Sequence, residues 1–236
     1  MCNVTCNFLP AVLGHKQHKP LRLLLIMLSL LILNLVALPV FAEEKVISTD
    51  ELKNILDSSR DLSGANLKGM NLSEMDLSGV NLKNADISGA NLSKAKLNNA
   101  NLENANLSGA DLYYARMENA NLKGALLKKA NLENVRLIGA NLERTRAQGA
   151  NMKCIDAQGA NFKNSNLTEA NFTIAVLTNA DFEGANLTGA HFNDAELYTT
   201  NFKGANIDKA DFTGVKKDAF TSFKKTKNRK TAKGLK

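Results

Sequence analysis

The sequence predicts an all-β solenoid, and three observations predict it. An apolar residue stands at every fifth position from Leu62 to Phe212, through 31 units without a gap, and it is large at all but Ala147 and Ala157. Alanine lies two residues before it in 22 of the 31 units. Asn or Asp lies immediately before it in 23 of the 31. A period of five makes no stripe on a helix, where each step of five rotates about 500°. On a continuous strand an odd period sends successive Leu residues to opposite faces. A chain that turns between units resolves the conflict. Ala and Leu, two apart in a short extended piece, point the same way, and repeated turning in one sense keeps every pair inside.

The elements follow in chain order. Lys16, Lys19 and Arg22 precede an apolar run from Leu23 to Val40, which closes in Val40-Phe41-Ala42. This reads as an export signal, residues 1–42, cleaved after Ala42. An uncleaved membrane anchor is the alternative, since about 18 apolar residues just span a bilayer. Either reading places residues 43 onward outside the cytoplasm, in a periplasm or equivalent lumen, with inner-membrane anchoring as the second form. Residues 43–59 form an N-terminal cap. Ser48-Thr49-Asp50-Glu51 is a capping box, and Leu52, Ile55 and Leu56 give a helix over 49–58 an apolar stripe for lidding the first coil.

Residues 60–215 are the repeat, as in Ala65-Asn66-Leu67-Lys68-Gly69. Asn and Asp suit corners because they bond their own backbone. Gly ends only 13 of the 31 units, so a positive φ is not expected at every corner. Phe replaces Leu at 162, 172, 182, 192, 202 and 212, which reads as core filling on two opposed inner walls. Ala147 and Ala157 replace large inward residues, so the coil over 145–159 is expected to be the least stable. Residues 216–236 carry nine Lys or Arg against Asp218 alone. They read as a basic cap and tail, with Phe220 and Phe223 lidding the last coil in a short helix and Lys224 to Lys236 disordered.

These residues resemble the pentapeptide-repeat family over about 60–215. The resemblance implies a right-handed quadrilateral β-helix with four pentapeptides per coil, hence about eight 20-residue coils for 31 units. At an inter-strand spacing of about 4.8 Å the stack would be roughly 37 Å long. It says little about function.

The composition excludes several chemistries. Three His and three Cys are too few for a metal cage or a disulfide framework, and cleavage at Ala42 would leave Cys154 as the one thiol. His191 stands where Asn or Asp usually does and reads as a surface corner residue. No triad or phosphate-cradling loop is present, so no enzymatic activity, cofactor or metal is expected. The net charge of +7 divides into +3 for residues 1–42, −4 for 43–215 and +8 for 216–236.

Function is expected on the outer faces. The residue before the inward one departs from Asn/Asp at Lys96, Arg116, Leu126, Arg136, Arg146, Val176, His191 and Glu196. Five of these differ by multiples of 20 and fall on one face. Lys96, Arg116 and Arg136 form one basic group there. Lys128, Lys129, Arg144 and Arg146 form another on a different side, with Glu118, Glu133 and Glu143 diluting the charge. These seven cations are the candidate partner surface, for an unidentified protein or an anionic envelope component. The basic tail adds affinity for a membrane surface, and nucleic acid is not expected. The rival reading is a DNA mimic that binds DNA gyrase, as quinolone-resistance members of the family do. The export signal and the weakly acidic body disfavour it.

Overall fold

Every unit spends its backbone groups in the same way, and this sets the architecture. In the computed structural model, which describes residues 46–235, unit 81–85 is representative. Asn81 N–H donates to Arg60 O at 3.0 Å in the coil before, and Leu82 N–H to Asn101 O at 2.7 Å in the coil after. Asn84 N–H reaches Glu103 O at 2.9 Å, and Ala85 N–H closes a turn on Leu82 O at 3.1 Å. The fifth N–H, that of Lys83, is taken by the Asn81 side chain at 3.3 Å. All five donors are satisfied, which a buried or stacked backbone requires.

Parallel bridges join residues 20 apart, from Asp61↔Asn81 to Glu196↔Lys216. Four ladders result. Ladder I runs through Asp61, Asn81 and Asn101; ladder II through Asn66, Asp86 and Asn106. Ladder III runs through Asn71, Asn91 and Asp111; ladder IV through Asp76, Lys96 and Arg116. Each coil contributes one bridged residue to each ladder, so among the described residues the solenoid is built from isolated bridges rather than longer strands.

The inward positions are closed to water. Every fifth-position residue from Leu62 to Phe212 is at most 2% exposed. The Phe residues form two columns. Phe162 stacks on Phe182 at 4.7 Å and Phe172 on Phe192 at 4.9 Å, while Phe172 meets Phe182 edge-on at 5.6 Å. Such offset and edge contacts suit the ring quadrupoles.

Helix α1 spans Thr49–Asp57, and the Ser48 hydroxyl accepts from Glu51 N–H at 3.2 Å at its start. Leu52 is buried, and Ile55 and Leu56 pack against the core. No helix among the described residues is long and apolar enough to cross a membrane. The predicted leader, residues 1–42, lies outside the described residues.

Two expectations are corrected. First, every corner from Gly64 to Gly214 has positive φ, including Ile174 at 59° and Thr199 at 56°. The turn demands the left-handed conformation whatever residue occupies it. Second, residues 216–235 do not trail away. The chain makes a further turn in which Ser222 bridges Asn201, Lys227 bridges Asn206 and Lys233 bridges Asp211. The spacing lengthens to 21 and then 22 residues, which hides the turn from a search at period five. Phe223 enters the core column, stacked on Phe202 at 4.9 Å, with the Arg229 guanidinium over its ring. Phe220 is no lid; it is 77% exposed.

Candidate interaction surface

With the interior filled, recognition falls to the outer residues, and the four ladders differ. Ladder I is an amide chain. Asn81 Nδ2 donates to Asp61 Oδ1 at 2.9 Å, Asn101 to Asn81 at 3.0 Å and Asn121 to Asn101 at 3.2 Å. Ladder III has the same links at Asn131→Asp111 and Asn151→Asn131. These side chains are committed to one another and to the backbone.

The corner after ladder I carries alternating charge. Lys83 pairs with Glu103 at 3.1 Å, Lys123 with Glu143 at 3.2 Å and Lys203 with Glu183 at 2.6 Å. The Lys203 hydrogen bond holds the Glu183 carboxyl below its usual range.

The seven candidate cations fall into two groups that the fold keeps apart. Lys96, Arg116 and Arg136 lie on ladder IV. Arg146 lies on ladder II, with Lys128 and Lys129 on the corner after that ladder and Arg144 on the corner before it. Ladders two units apart lie on opposite sides of a four-ladder coil, so the two groups do not form one continuous patch.

Their electrostatics differ as well. On ladder IV each cation has an acid. Lys96 is 3.8 Å from Asp76, and Arg116 and Arg136 share Glu118 Oε1 at 3.4 and 3.2 Å. Further along, Lys216 pairs with Glu196 at 3.0 Å, which raises its pKa. The ladder is therefore compensated, not the bare basic stack that its three cations suggest. On ladder II, Lys128, Lys129 and Arg146 have no ion pair within 4.0 Å among the described residues; Arg144 touches Glu143 at 3.4 Å.

Exposed apolar residues add a feature that five-residue spacing alone does not reveal. Tyr113, Tyr114 and Ile174 occupy the corner before ladder IV, and Tyr198 the corner after it. Phe220 sits in the loop that makes this second corner in the last turn. Writing the chain in rows of 20 aligns them; reading it in rows of five does not. His191 lies exposed on ladder III. Among the described residues no group of three His, Cys, Asp or Glu could hold a metal ion.

The family model for pentapeptide repeats matches in eight copies, over stretches that begin at residues 61–99 and end at 180–216. The chain belongs to the pentapeptide-repeat family. Solved pentapeptide-repeat proteins resemble it. HetL, involved in heterocyst differentiation regulation in the cyanobacterium Nostoc sp. strain PCC 7120, is 24% identical. That match covers 79% of this chain and 94% of HetL, with a TM-score of 0.45. Full-length QnrB1, a plasmid-mediated fluoroquinolone resistance protein, is 19% identical over 66% of this chain and 95% of its own, with a TM-score of 0.35. AT2G44920 from the Arabidopsis thaliana thylakoid lumen is 26% identical over 64% and 71%, with a TM-score of 0.21. No curated protein sequence matches.

Proposed function

We propose that this pentapeptide-repeat chain is a non-enzymatic, exported interaction protein, a rigid rod that recognises its partner through its outer faces. In this reading the rod is a right-handed stack of about eight 20-residue coils, and α1 closes its first turn. The filled interior supports the reading most directly, because side chains at most 2% exposed leave no internal site for a substrate. Lys128, Lys129 and Arg146 support an anionic partner, a lipid headgroup surface of the envelope. They are three cations on one side without acids of their own, and each adds about 1 kcal/mol near such a surface. The basic last turn adds to the same attraction.

One experiment tests placement and binding together. Cells are fractionated, the chain is recovered, and its binding to phosphatidylglycerol vesicles is measured by co-sedimentation against phosphatidylcholine vesicles. The expected chain begins at Glu43, lies outside the cytoplasm and binds the anionic vesicles. Lys128→Glu with Arg146→Glu is expected to weaken that binding by about tenfold or more. A cytosolic chain with its leader intact overturns the placement. Unchanged binding of the double variant overturns the anionic surface.

A further inference from the structure

Read along its length, ladder IV is Asp76, Lys96, Arg116, Arg136, Asp156, Val176, Glu196 and Lys216. That series is complementary to its own reverse. Folded back about the point between Arg136 and Asp156, it places Arg136 opposite Asp156, Arg116 opposite Val176, Lys96 opposite Glu196 and Asp76 opposite Lys216. No like charges meet.

We propose that ladder IV is a homodimer face, on which two copies lie antiparallel about a two-fold axis between the rungs of Arg136 and Asp156. The same axis carries each flanking corner onto itself in the second copy. It then sets Tyr114 opposite Ile174, Lys94 opposite Asp194 and Glu133 opposite Lys153. On the corner before ladder IV, Tyr114 and Ile174 cover each other and the facing charges are opposite in sign; on the corner after it, Tyr198 lies opposite Asn98 and Glu118 opposite Thr178, and no like charges meet.

Charge rejects the other arrangements. An axis at the rung of Arg136 opposes Arg136 to its own copy, and one at Asp156 opposes two carboxylates. An axis one full rung earlier than the proposed one opposes Arg116 to Arg136, and one full rung later opposes Arg116 to Lys216. A parallel pairing opposes every charge to itself. Facing like charges cost several kcal/mol at an interface, so among the registers that overlap over most of the strip one survives.

The backbone supports the same face. Ile174 and Thr199 are β-branched residues held at φ 59° and 56°, and both lie on the corners of ladder IV. Left-handed backbone disfavours such side chains, and strain of this kind is kept where a side chain is needed. From Asp76 to Lys216 the strip is about 34 Å long at a rung spacing of about 4.8 Å. A standard interface of about 800 Å² per partner would need a width of about 24 Å, so both corners must take part. The dimer belongs to the weak, salt-sensitive class.

This inference does not rest on the anionic-surface reading, since ladder II faces away from the dimer. The test is sedimentation velocity on the chain as purified from cells, at low and high salt. Arg136→Glu and Asp156→Arg should each weaken self-association by about tenfold or more, because each creates like-charge pairs. The two together in one chain should restore it to within about threefold, since the axis pairs 136 with 156 of the other copy. Lys96→Glu with Glu196→Lys gives an independent second swap. Salt near 1 M should dissociate the native dimer. A chain that stays monomeric up to about 100 µM overturns the proposal. So does a double swap that fails to recover while both variants remain folded.

Discussion

At the scale of the residue, the Asn or Asp before most inward side chains accepts the one N–H in the unit that no backbone carbonyl of a neighbouring coil takes. Asp61 takes that of Ser63 at 3.0 Å, and Asn101 that of Glu103 at 3.3 Å. Where ladder IV substitutes another residue, that side chain no longer takes it, and from Lys96 to Glu196 only Glu118 N–H finds a replacement among the described residues, Asn98 Oδ1 at 3.2 Å. Ile138 N–H, two residues after Arg136, has no acceptor among the described residues. Arg136→Asn should therefore stabilise the fold. A restored hydrogen bond contributes about 1 kcal/mol, against a surface ion pair to Glu118 worth about 0–1 kcal/mol. The expected outcome is a melting temperature higher by up to about 4 °C, measured calorimetrically, in a chain that self-associates less. A lower melting temperature would mean that the Arg136 pair with Glu118 outweighs the backbone bond. That ladder IV forgoes this bond at several rungs is hard to explain by folding alone.

At the scale of the element, coils share core only with their neighbours, so stability varies along the stack. The weakest place is expected where the Leu columns give way to Phe. Ala147 and Ala157 stand on opposed inner walls there, and Ile155, fully buried, refills part of the space. Thr145 is also buried and bonds its hydroxyl to Leu142 O at 2.9 Å. Missing side-chain volume costs roughly 1 kcal/mol or more per group. Amides over 145–159 should exchange about tenfold faster than those over 100–115. Equal protection would show that Ile155 repairs the packing.

The same unit explains what the sequence disclosed. Thirty-one repeats of one pattern make inside and outside legible, because only one winding keeps every Ala and Leu inward. The last turn was not legible, because one inserted residue near Phe220 breaks the spacing while Phe223 still enters the core. Left-handed corners were hidden by residues such as Ile174 that seldom adopt that conformation. On the surface, the variable ladder could be read from departures at Lys96, Arg116 and Arg136. Glu118, two residues from Arg116, could be read as diluting the charge, but that it also serves Arg136, and that Ile174 and Tyr198 flank the same ladder, shows only at period 20.

At the scale of the whole described unit, the surface bonds sum into a pH response. Backbone N–H of Ser63 holds the Asp61 carboxyl below its ordinary value, and the Ser78 hydroxyl does so for Asp76. The Thr213 hydroxyl acts on Asp211, and the Thr199 N–H on Asp218. A carboxyl whose folded pKa is depressed stabilises fully above its unfolded value, about 4, and loses that contribution as pH falls through the folded value. Lys94, Lys163 and Lys216 are raised by hydrogen bonds to Glu74, Asp181 and Glu196. Their contribution is complete below the unfolded value, about 10.4, and is lost as pH rises through the folded one. Stability should therefore be level between about pH 5 and 9, falling below about 4 and above about 10.5. Melts across that range check the plateau. The combined variant Asp61→Asn, Asp76→Asn and Asp211→Asn isolates its cause, since Asn keeps the backbone acceptor but does not titrate. It should melt lower than the native chain at pH 7, because the charge-assisted part of each bond is gone, and lose less between pH 7 and pH 3. An unchanged acid limb would place the proton-sensitive groups elsewhere, in the ion pairs of the Lys–Glu corner.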